Sequence, residues 1–62
     1  MPADAEFEIY QDGAGEWRWR LVAPNGNLVA ASGEGYVSKQ GVKRGIRSVR
    51  RYASTAEVVE EE

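Results

Sequence analysis

Sixty-two residues with a formal net charge of −2, no cysteine and no histidine make one small domain with no disulfide to brace it and no thiolate or imidazole to hold a metal. A chain this short buries only about 60% of the surface its unfolded form exposes, so a partner subunit is the stabilising device left open. The same composition leaves any Ser, Thr, Tyr or Lys nucleophile without its usual base. No apolar run is long enough to span a membrane and nothing resembles a secretory leader. A cytoplasmic, non-catalytic protein without cofactor or metal is expected.

In chain order, a strand is predicted over 5–10, where Phe7 and Ile9 share one face and Glu6, Glu8 and Tyr10 the other. Gln11 to Gly15 reads as the connection, because Asp-Gly and Gly supply the positive φ that a tight turn requires. A second strand, 16–22, alternates again, with Trp17, Trp19 and Leu21 facing one way and Arg18, Arg20 and Val22 the other. A five-residue loop sets Ile9 opposite Trp17 and Phe7 opposite Trp19, with Glu8 opposite Arg18 and Glu6 opposite Arg20. Apolar pairs on one face and opposite charges on the other each contribute roughly 0.2–1 kcal/mol.

Ala23 to Asn27 is the next turn. Pro24 argues against a two-residue Asn-Gly hairpin, and fits instead as the second residue of a type I turn with Gly26 in the left-handed bulge position. The third strand, 28–32, then places Val29 beside Leu21 and Ala31 beside Trp19. Gly33 to Val37 is a loop and Ser38 a helix N-cap. Over 38–53, Val42, Ile46, Val49 and Ala53 recur at spacings of four, three and four, one helical stripe.

Six of the eight basic residues (Lys39, Lys43, Arg44, Arg47, Arg50 and Arg51) fall in this helix, in a window without an acid, and occupy one arc of roughly 140° beside the stripe. Gly41 and Gly45 lie on the other flank. Each costs about 1 kcal/mol relative to alanine in a helix interior, which points to close approach of another backbone. A final strand is predicted over 55–60, where Val58 and Val59 sit among acids. The predicted core is Phe7, Ile9, Trp17, Trp19, Leu21, Val29, Val42, Ile46 and Val49.

FEIYQDGAGEWRWRL, followed by NGNLVAASGEGYVSKQGVKRGI and SVRR, resembles the YegP-like family of small uncharacterised proteins, from Phe7 to about Tyr52. The resemblance implies an α+β fold, a β-β-β-α-β unit with one helix on one face of an antiparallel sheet. It also implies that two units share the sheet with their C-terminal strands exchanged, in tandem or, for a chain with one unit, as a homodimer. It brings no activity and no catalytic or ligand residues. The final strand lies outside the best-matching stretch.

Four constellations bear on function. Trp17 and Trp19 beside arginines could stack on bases, but they share a face with Phe7, Ile9 and Leu21, which favours a core role. Gly33-x-Gly35-x-x-Ser38 stands where a dinucleotide loop would, but it follows antiparallel hairpins and carries Glu34; a weaker anion site at the helix N-terminus with Lys39 survives. Glu34 and Tyr36 could transfer protons, yet nothing beside them in the sequence perturbs a pKa. The basic arc (Lys39, Lys43, Arg44, Arg47, Arg50 and Arg51) could contact phosphates, or be a solvated face, or one neutralised by the acidic tail of the same or a partner chain. The leading expectation is a small homodimeric binding or interaction module. A nucleic-acid-associated protein is the alternative, and a small-ligand or anion site at the strand-to-helix loop comes third.

Overall fold

The computed structural model describes residues 4–61. Three strands, β1 (Glu6–Gln11), β2 (Trp17–Val22) and β3 (Leu28–Ala31), form an antiparallel sheet in the order β1-β2-β3, and one helix, α1 (Lys39–Ala53), packs on one face of it. This is the expected α+β arrangement of three strands and a helix. The helix lies over β2 and β1 and has no close approach to β3. Among the described residues no helix is long and apolar enough to cross a membrane.

The first hairpin has a different register from the one expected. Ile9 faces Trp19, Phe7 faces Leu21 and Glu8 faces Arg20, with Tyr10 opposite Arg18. The slip is two residues, so every side chain keeps its predicted face while its partner changes. Asp12 is the cause. Its N–H donates to Glu16 O at 2.8 Å, Gly15 N–H donates to Asp12 O at 3.0 Å, and Gly15 takes φ 83°. The chain thus reverses over three residues rather than five, and β1 runs on through Gln11. Asp12 Oδ1 also accepts from the N–H groups of Ala14 and Glu16, both at 2.9 Å.

The second turn is built the same way, and here the expectation holds. Gly26 N–H donates to Ala23 O at 2.9 Å, Ala23 N–H donates to Asn27 O at 2.8 Å, and Gly26 takes φ 90°. Beyond it Val22 pairs with Leu28 but Leu21 pairs with Ala30, so Val29 is the extra residue of a β-bulge. The bulge corrects two expectations: Ala30, not Val29, lies beside Leu21, and Ala31 lies beside Arg20 rather than Trp19. Val29, placed in the core from sequence, is 59% exposed.

The core is thin. Among the described residues Trp19 and Val42 are the buried hydrophobic ones. Phe7, Ile9, Trp17, Leu21, Ile46 and Val49 are half-buried on the same face. Phe7 meets Trp19 edge-on, ring centroids 5.5 Å apart and planes at 73°, a favoured aromatic geometry. Trp19 Nε1 is buried without a hydrogen-bond partner.

The opposite face of the sheet is open and charged. Arg20 Nε donates to Glu8 at 2.7 Å and its guanidinium lies 4.7 Å from the Tyr10 ring. Arg18 Nε donates to Asp12 Oδ2 at 2.6 Å. That bond, followed by the backbone bond from Glu16, holds the Asp12 carboxyl below its ordinary 3.8. A depressed carboxyl stabilises the fold fully above its ordinary value and loses that contribution as pH falls through the lowered one. Asp12→Asn, which can still accept the two turn N–H groups, is therefore expected to lower the melting temperature at neutral pH. The gap from the unsubstituted chain should close as melts are taken down through the acid range below 3.8.

After α1 the chain turns at Ser54 and Thr55, and residues 56–61 follow with no regular secondary structure. The fourth strand expected over 55–60 does not form within a single chain. Val58 is 97% and Val59 75% exposed.

Candidate functional site

The helix start is the most constructed part of the molecule. Ser38, extended at φ −143° and ψ 156°, caps it by accepting the Gly41 N–H at 3.0 Å on its Oγ. Just before it, Tyr36 is tied to β2: Trp17 N–H donates to Tyr36 O and Tyr36 N–H to Trp17 O, both at 2.8 Å, an isolated antiparallel bridge. Facing residues of such a pair point to the same side of the sheet, so the Tyr36 ring is delivered to the helix side.

There it covers the glycine flank. A methyl group on Gly45 would overlap the Tyr36 hydroxyl and lie 2.8 Å from its Cζ, and one on Gly41 would meet the ring at 3.5 Å. The two helix glycines thus admit an aromatic side chain, not the second backbone expected from their spacing. Gly41→Ala meets ordinary contact distances, so it should hold or raise the melting temperature. Gly45→Ala should lower it, because the ring must move. In a Tyr36→Ala background Gly45→Ala should instead stabilise by about 1 kcal/mol, the helix propensity of alanine over glycine. Urea melts of the four chains would measure this coupling, and a Gly45→Ala effect unchanged by Tyr36→Ala would refute it.

The strand-to-helix loop is poorly suited to a phosphate. A methyl on Gly35 would lie 2.7 Å from Glu16 Cδ, so a carboxylate side chain fills the space beside that glycine. Lys39, the cation assigned to an anion there, lies with Nζ 5.1 Å from the centroid of the Trp17 ring. Among the described residues no group of His, Asp or Glu has the arrangement to hold a metal.

Five of the six residues of the basic arc stay together, with Lys39 set apart over Trp17. Lys43, Arg44, Arg47, Arg50 and Arg51 are all exposed. Among the described residues the ion pairs all belong to Arg18 and Arg20 of β2, and none to the helix. Arg51 lies 5.7 Å from the ring of Tyr52, itself 65% exposed. Sequence reasoning passed over Tyr52, and weighed Tyr36 for proton transfer rather than for packing against the helix glycines. The signal for Tyr36 was present, as two glycines four apart just after an aromatic that precedes the N-cap.

Comparison with known proteins adds a family but no chemistry. Residues 12–60 match the model of the domain of unknown function DUF1508. A UPF0339 protein of Treponema denticola is 51% identical over 55 residues, 89% of this chain and 93% of that one. A UPF0339 protein of Stutzerimonas stutzeri, from the 5′ region of the ptx operon, is 53% identical over 47 residues, 76% of this chain but 41% of its own length. Among solved structures, the solution structure of a protein from Haloferax volcanii matches with TM-score 0.87 and 55% identity, over 94% of this chain and 97% of that one. That of the protein ATU0232 from Agrobacterium tumefaciens matches with TM-score 0.70 and 38% identity, over 90% and 89%.

Proposed function

The chain belongs to the DUF1508 family of small uncharacterised proteins, and from that premise we propose that it is a non-catalytic binding module working as a homodimer, its C-terminal segment completing the sheet of a second copy. The observation that carries this reading is Val58 and Val59, 97% and 75% exposed in a segment that makes no strand of its own. Two β-branched residues in a run free of regular secondary structure suit strand addition, where main-chain hydrogen bonds supply affinity and alternate side chains supply fit. The sheet has unpaired edges to receive it at β1 and β3.

The thin core supports the same reading, because half-buried Ile9, Leu21, Ile46 and Val49 gain most from a second layer. The Stutzerimonas relative supports it from another direction: a match over 41% of its length leaves room for a second unit in one chain. The acids Glu57, Glu60 and Glu61 would add screened attraction to a basic helix, about 0–1 kcal/mol per exposed pair. The test is sedimentation equilibrium with thermal melts at several protein concentrations. A dimer whose melting temperature rises with concentration is expected. A folded monomer at micromolar concentration would overturn the reading.

A further inference from the structure

The cations of α1 add only weak, screened attraction to the pairing just described, and they are exposed in the single chain. Lys43, Arg44, Arg47, Arg50 and Arg51 are exposed along about 12 Å of helix axis and unpaired among the described residues. Elsewhere the chain pairs its guanidinium groups closely, Arg18 with Asp12 at 2.6 Å and Arg20 with Glu8 at 2.7 Å. Five cations in one arc repel one another unless an anion lies along them.

Three features narrow what that anion is. Four of the five are arginines, whose planar fork matches phosphate oxygens in pairs. The apolar stripe of the same helix is turned into the sheet, with Val42 fully buried, so α1 has no free apolar side to lay into a lipid surface. At the C-terminal end of the arc stands Tyr52, 65% exposed, with the Arg51 guanidinium over its ring. An exposed ring beside a line of arginines is what an unpaired base requires: stacking on the ring while the phosphates follow the cations.

We propose that the cationic face of α1, from Lys43 to Arg51 with Tyr52 at its end, is a docking surface for single-stranded nucleic acid. Recognition is of the phosphodiester backbone and of base faces, without sequence readout. The rest of the chain is acidic, so binding is expected to be weak and steeply salt-dependent. For about four phosphates the logarithm of affinity should fall against the logarithm of salt with a slope of about −3.

The test uses the full chain and labelled oligonucleotides of about 20 nucleotides, single-stranded and duplex, by fluorescence anisotropy from about 50 mM salt upward. The single strand should bind more tightly than the duplex. Arg44→Gln with Arg47→Gln and Arg51→Gln should weaken it by tenfold or more and flatten the slope by about 2. Lysine at the same three positions should restore the slope. Tyr52→Ala should weaken the single strand roughly 5- to 100-fold and leave the duplex unchanged. All substituted side chains are exposed, and thermal melts confirm that the fold is kept. The inference is overturned by no binding at the lowest salt, by an unaltered triple variant, or by a duplex bound as tightly as the single strand. Displacement by polyglutamate as efficiently as by unlabelled oligonucleotide also overturns it, assigning the surface to acidic protein instead. Sedimentation of the same samples keeps this result separate from the pairing of two copies.

Discussion

Trp19→Ala is expected to unfold the protein at room temperature. Trp19 is 6% exposed at the centre of the middle strand, with Ile9 opposite it and the Phe7 ring edge-on at 5.5 Å. Removing so large a side chain from a core that cannot collapse costs about 3–5 kcal/mol. A chain of this size has about 3–9 kcal/mol of stability in all. Trp17→Ala is the informative contrast. Trp17 shares the strand and the face but is half-buried, with Lys39 over its ring, so its loss should cost only about 1–2 kcal/mol. Circular dichroism melts of the two variants check both numbers. An unchanged melting temperature for Trp19→Ala would mean that the helix does not seal this face.

Under the proposed pairing, Val58→Asp combined with Val59→Asp is expected to separate two copies while leaving each folded unit recognisable. In one chain these side chains touch almost nothing, being 97% and 75% exposed, so within a monomer their replacement is close to neutral. If each is buried against a second copy, the loss is about 1.5–3 kcal/mol per valine. A closed pair with twofold symmetry contains every such contact twice. Dissociation should therefore shift by about 10,000-fold or more, on the order of four 1.4 kcal/mol steps. Changing only Glu60 and Glu61 to Gln should leave the association in place and alter its salt response, since exposed charge pairs are weak and screened. Identical sedimentation of the Asp variant and the unsubstituted chain would remove the C-terminal segment from the interface.

Which of these features could be read in advance depended on whether a periodicity or a single side chain decides them. The strand faces and the helical stripe are periodicities, and Phe7, Ile9, Trp17, Trp19, Leu21, Val42, Ile46 and Val49 all lie on the predicted side. The register of the first hairpin turns on one carboxylate. A two-residue slip preserves both faces, so alternation cannot reveal it, whereas Asp12 accepting two turn N–H groups and the Arg18 Nε settles it. Leu28 to Ala31 is four apolar residues in a row, a run in which no alternation says which side faces inward. There the bulge at Val29 went unseen. The cationic arc was legible because helical angles alone define it. The separation of Lys39 from the other five was not, because it depends on Trp17, more than twenty positions away in the chain.

The bridge between Trp17 and Tyr36 also orders events in time. Both hairpins close through three-residue turns with their own glycines, and such local reversals form in about 1–10 μs. The capped helix relaxes faster still, within about 1 μs. What no local element supplies is the return of the chain to the start of β2, where Tyr36 pairs with Trp17 and carries the helix onto the sheet. That non-local closure is expected to come last in the refolding of the unit, which stopped-flow would check. Tyr36→Ala should therefore slow refolding, whereas substitutions at Val58 and Val59, which the proposed pairing would engage only between complete units, should leave the refolding rate untouched and quicken dissociation alone.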